Sequence, residues 1–131
     1  MSRLLATGRI LTGLFFLLAG FNKIGAYGPT MEAMSGAGLP APSLLLPLVI
    51  MLEIGAGAVV LLGRGARLVM AAALALAAFT LATNAVFHRF WELDGILHQL
   101  ELSLFFKNLV VVGALLMVAG SARSRLETGP T

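Results

Sequence analysis

The chain has no cysteine and little charge: 11% of its residues are Asp, Glu, Lys or Arg, against 59% that are hydrophobic. Without cysteine there is no disulfide scaffold, no dithiol or iron–sulfur chemistry and no cysteine-held zinc. So little charge excludes a disordered chain, and it excludes an ordinary soluble domain, which is about 45–50% apolar and about 25% charged. One small core cannot absorb this much apolar surface. No Walker loop, dinucleotide fingerprint or nucleophile–base pair occurs. The pI of 10.2 comes from nine basic residues scattered among apolar runs rather than gathered in a patch, so nucleic acid is not an expected partner. What is there, a mean hydropathy of +0.96, points to a membrane protein whose surroundings are the lipid bilayer.

A bilayer core of about 30 Å takes ~20 apolar residues as helix. Four runs qualify: residues 8–26, 44–63, 68–87 and 102–120, the last interrupted by Lys107. Stretches such as AAALALAA lack the alternation and turn signals of a barrel strand. The expected fold is therefore all-α, a polytopic membrane protein built as an antiparallel four-transmembrane-helix bundle. Residues 1–131 form a single membrane domain with a flexible C-terminal tail over 121–131. The Arg64–Arg67 turn makes spans two and three antiparallel neighbours. Between spans one and two, Pro29 opens a short outer interfacial helix that places Met31 and Met34 on one face and ends among Gly36, Gly38, Pro40 and Pro42. Arg3 and Arg9 before an apolar stretch have the shape of a signal peptide. No Ala-x-Ala site follows, so the segment is read as a permanent span.

Arg3, Arg9, Arg64, Arg67, Arg123 and Arg125 fall at one end of the spans, while Lys23, Arg89 and Lys107 fall towards the other. The positive-inside rule then puts both termini, with the Arg64–Arg67 turn, in the cytoplasm. Tyr27 and Trp91, the only Tyr and the only Trp, lie at outer span ends, where amphipathic rings favour the interface.

Charge inside the spans costs about 2.5–3.5 kcal/mol per residue near a helix centre. Glu53 lies ~13 Å deep in span two and Lys107 ~7 Å deep in span four. Glu53 is expected to pair with Lys107, with Lys23, or with both. Thr80, Asn84 and His88 make a polar stripe on span three, and Asn22 and Asn108 sit beside the two lysines. Polar groups thus gather in the outer half of the bundle. Glu53, Lys107, Lys23, Asn108, Asn84, His88 and Asn22 are the candidates for ligand binding or proton relay; no catalytic residue is identifiable. Small residues at Gly13 and Gly20, and at Ala71, Ala75, Ala78 and Ala82, suggest faces for close helix packing. His88, Glu92, Asp94 and His98 have spacings a metal can use, but Gly95 interrupts the helix and places His98 in a loop. These four are weak candidates, and no metal site is assigned.

In order along the chain, Ala19-Gly20-Phe21-Asn22-Lys23, Gly38-Leu39-Pro40, Glu53, Leu61-Leu62-Gly63 with Arg67, His88-Arg89-Phe90-Trp91 and Phe106-Lys107-Asn108 resemble the DoxX family of small four-span bacterial membrane proteins. The resemblance covers nearly the whole chain. It implies a subunit or accessory of a membrane oxidoreductase system, because the family takes its name from a small subunit linked to thiosulfate:quinone oxidoreductase. Relatives are associated with complexes handling thiol and oxidative stress. This chain has no redox centre of its own.

Two readings follow. In one, the outer half of the bundle binds a quinone-like or other lipophilic ligand: Lys107, Lys23, Asn108 and His88 donate hydrogen bonds, Glu53 relays protons or holds Lys107 charged, and a partner redox protein supplies electrons. No covalent cofactor is expected. In the other, the protein is a non-catalytic scaffold or self-association module whose buried Glu and Lys are structural. A transporter ranks third, because the inner half offers no polar path.

Overall fold

The computed structural model describes residues 2–129. It contains five α-helices: α1 (Arg3–Gly25), α2 (Tyr27–Gly36), α3 (Pro42–Leu62), α4 (Ala66–Phe87) and α5 (Gly95–Glu127). α1, α3, α4 and α5 are the four spans, and α2 is the short helix foreseen between the first two. The fold is the expected all-helical one.

Local sequence sets the boundaries. Ser2 caps α1 by accepting the Leu5 N–H at 3.1 Å. α2 closes where Leu39 N–H reaches back to the Met34 carbonyl at 3.1 Å, around Gly38 at φ +81°. Its Met34 is buried against Leu46 and Ile50 of α3, with Met31 beside it, so the two methionines share the packed face. Pro42 sits at the first position of α3, where its missing N–H costs nothing. Gly63 ends α3 in the left-handed region at φ +69°, a conformation glycine adopts without strain.

The long helices stand in chain order around the bundle. α1 packs most extensively on α3 and α4 on α5; α3 meets α4 less broadly, and α1 touches α5 only lightly. α1 and α3 come very close: a Cβ placed on Gly13 would lie 2.6 Å from the Leu61 nitrogen and 2.8 Å from the Gly57 carbonyl. Gly20 likewise faces Ile54, and Phe16 is buried between the two glycines. The core proper joins Phe16 and Val60 to Val69, Ala73, Leu76, Leu115 and Ala122. Leu11, Leu18, Leu48, Leu68, Val110 and Met117 point outward, exposed, as suits helices whose solvent is lipid.

Four expectations need correction. The alanine face of α4 is not its packing face: Ala71, Ala75, Ala78 and Ala82 are exposed, and Val69, Ala73, Leu76, Thr80 and Asn84 turn inward. In lipid, apolar residues gain little from burial, so the polar groups that must find partners decide which side faces in. The fourth span is also much longer than 102–120. α5 runs 33 residues, ~50 Å at 1.5 Å per residue. Gly95, with φ +64°, is its first residue rather than a break inside it, so His98 is helical. At the other end α5 continues through Ser121 to Glu127, where a flexible tail was expected. The Arg123–Glu127 pair at 2.9 Å supports this last turn. The last residues of that expected tail, 130 and 131, lie outside the described residues.

Candidate functional site

At the end of the bundle opposite the six clustered arginines, α1, α2, α3, α4 and α5 line a cavity of about 560 Å3. Its walls carry Lys23, Glu53, His88, Lys107 and Asn108 among Phe15, Phe16, Phe79, Phe87 and Leu104. Five of the seven expected polar residues thus line one space. Asn84 lies behind that wall and Asn22 outside it.

Glu53 is 1% exposed, and Lys23 Nζ donates to its Oε1 at 2.7 Å. The sequence left the partner open between two lysines, and the helix order decides it. Lys23 is on α1, the helix packed closest to α3, whereas Lys107 is on α5, diagonal to α3. Glu53 Oε2 is buried and has no hydrogen-bond partner among the described residues. Lys107 makes no ion pair among the described residues. Its Nζ stands 5.9 Å from the centre of the Phe15 ring, across the lightly packed α1–α5 seam.

Asn84 and Asn108 tie α4 to α5. Asn84 Nδ2 donates to the Phe105 carbonyl at 3.1 Å, and Asn108 Nδ2 donates to Asn84 Oδ1 at 3.1 Å. Thr80 turns its hydroxyl to the Leu76 carbonyl at 2.8 Å, so this buried oxygen is satisfied within its own helix. Asn22 is exposed on the outside of α1 and forms no side-chain hydrogen bond among the described residues.

At the rim, His88 Nδ1 lies 2.6 Å from Glu101 Oε2, joining the end of α4 to the first turns of α5. This pair was not foreseen from the sequence. His98 Nδ1 instead faces the Phe90 and Leu93 carbonyls at 2.8 and 3.1 Å, and Glu92 bonds Arg89 at 3.3 Å. His88, Glu92, Asp94 and His98 therefore do not converge, and no cluster of three or more His, Cys, Asp or Glu suited to a metal occurs among the described residues. Phe90, Trp91, Phe105 and Phe106 stack edge to face beneath this rim.

A second cavity of about 280 Å3 adjoins the first, sharing Lys23, Thr30, Phe79, Thr83 and Phe87. Apart from Lys23 and the two threonines, Met34, Leu39, Leu46 and Val86 make it apolar. Together the two form a largely apolar chamber that carries a few polar groups, with an apolar extension beneath α2.

The sequence motifs at this site, from Phe21-Asn22-Lys23 through Glu53 to His88-Arg89, fall inside residues 4–89, which match the DoxX family model. The chain belongs to the DoxX family. It is 37% identical over 111 residues to inner membrane protein YqjF of Escherichia coli K12, covering 85% of this chain and 78% of that one. It is 29% identical over 116 residues to inner membrane protein YphA of the same organism, covering 88% and 81%. No solved structure gives a significant match. This DoxX protein is thus an integral, multi-pass inner-membrane protein. Lys107 and Asn108 lie beyond the family match, on α5.

Proposed function

We propose that this DoxX protein binds a quinone or another lipophilic ligand with a carbonyl-bearing head in the cavity, as a membrane subunit or accessory of an oxidoreductase system. One observation carries the reading: a space of about 560 Å3 into which an unpaired lysine and a half-satisfied buried carboxylate both face. Intramembrane ionisable groups are costly and usually mark a ligand or proton path. Lys107 and Asn108 are the donors for a carbonyl oxygen, and Lys23–Glu53 is the proton-bearing pair beside it. The phenylalanines hold an aromatic head, and the apolar extension takes the start of its tail. Electrons come from a partner protein, since the chain has no redox group. Both termini face the cytoplasm and the cavity faces the outer half of the bilayer; reporter fusions at each terminus test this.

The decisive measurement is quinone content after lipid-retaining extraction. Wild type should retain quinone, and Lys107→Met and Glu53→Gln should lose it. Wild type without quinone, or variants retaining as much as wild type, overturns the reading.

A scaffold reading has its own support. Lys23–Glu53 and Asn84–Asn108 sit at the two broadest interfaces, α1–α3 and α4–α5, where buried polar pairs hold helices together. If that is their whole role, a Glu53→Leu/Lys23→Leu variant keeps native stability and assembly, and wild type binds no ligand.

A further inference from the structure

We propose that the groove between α1 and α5 at the arginine-rich end is a binding site for an anionic phospholipid. It is a separate cavity of about 150 Å3, distant along the bundle from the site above. Its walls come from Leu4, Leu5, Met117 and Val118, and Arg9 and Arg125 close it.

The two arginines are positioned but not neutralised. Arg9 Nη1 donates to the Val60 carbonyl at 2.7 Å and also to the Leu61 carbonyl. Arg125 Nη1 donates to the Gly63 carbonyl at 3.3 Å. Both guanidinium groups thus cap the carboxyl end of α3, where helix carbonyls lack partners. A carbonyl cap supplies partial charge, not a counter-ion. Neither arginine meets a carboxylate among the described residues, and both Nε atoms are buried without partners. The second terminal nitrogen of each forms no hydrogen bond among the described residues. Glu127, the one acidic residue near this end, is held by Arg123 at 2.9 Å.

The site therefore offers two fixed cations with spare donors at the head of an apolar groove that opens to lipid. Guanidinium donors suit phosphate oxygens, and the leucine and methionine walls suit an acyl chain. A free phosphate satisfies only the first half of that description. A zwitterionic headgroup carries its own ammonium and has less need of the arginines.

Native mass spectrometry of the delipidated full chain tests this, with phosphatidylglycerol, phosphatidylethanolamine of the same chains, and inorganic phosphate as probes. Phosphatidylglycerol should be retained roughly tenfold better than phosphatidylethanolamine and should survive inorganic phosphate at equal concentration. Arg125→Gln should lower retention by a similar factor. Gly8→Leu should also displace the lipid: Gly8 lines the groove, and a Cβ there meets nothing within 4 Å, so the longer side chain has room to start into the groove; an unchanged melting temperature checks that the fold is kept. Equal retention of the two lipids, unchanged retention in both variants, or displacement by inorganic phosphate would overturn the proposal.

Discussion

Lys23 and Glu53 meet at 2.7 Å across the α1–α3 interface, joining the two spans that pack most extensively. Removing one partner leaves a charge buried in the bundle, at a cost of about 3–5 kcal/mol, while replacing both with apolar groups is often tolerated. Lys23→Met should therefore lower the melting temperature in detergent strongly. The Lys23→Leu/Glu53→Leu pair should recover most of the loss. A double variant as unstable as the sum of its singles would show that the two residues do not act as a pair.

Gly13 lies where α1 and α3 backbones nearly touch. Gly13→Ala puts a methyl group 2.6–2.8 Å from Leu61 and Gly57 backbone atoms, which cannot swing aside, whereas a Cβ on Gly55 of the same interface helix meets nothing. Overpacking of this kind costs about 1–3 kcal/mol. Gly13→Ala should melt early, and Gly55→Ala should melt at or slightly above wild type. Equal melting of the two would place the close approach elsewhere.

Gly63 is constrained chiefly by its φ of +69°, and an added Cβ would also push the Arg9 guanidinium aside. A non-glycine residue in that region costs about 1–3 kcal/mol by itself. Gly63→Ala should destabilise the protein and also weaken the Arg9 cap. A silent substitution, judged by thermal melting, would argue against both constraints.

The spans were legible because hydropathy and length alone identify what can cross a bilayer, and the short helix because Pro29 opens it and a Gly/Pro run ends it. Glu53 stood out for the converse reason, as a charge where charge is costly. Its partner was not legible, because depth places Lys23 and Lys107 alike and only helix order separates them. The outward alanines of α4 misled for a related reason: in lipid, a small apolar residue carries no strong signal of its facing, and Thr80 and Asn84 decide it. His88–Glu101 escaped because it joins residues 13 apart, and Gly95 suggested a break between them. Arg9 and Arg125 read as topology signals, and nothing in their spacing reveals that both reach the end of α3.

Lys107 separates the two functional readings. It has no carboxylate partner among the described residues, and its Nζ lies 5.9 Å from the Phe15 ring, a contact worth about 0.5–1 kcal/mol at an exposed site. Lys107→Met keeps the chain length and apolar stem, so thermal stability should stay within about 1 kcal/mol of wild type. Quinone retention should nevertheless fall, because the free donor facing the cavity is gone. Lys107→Arg should restore part of that retention. If Lys107→Met unfolds the protein, the residue holds the bundle together in a way its contacts do not show. If it leaves both stability and retained quinone unchanged, the cavity does not use it, and the ligand reading loses its main donor.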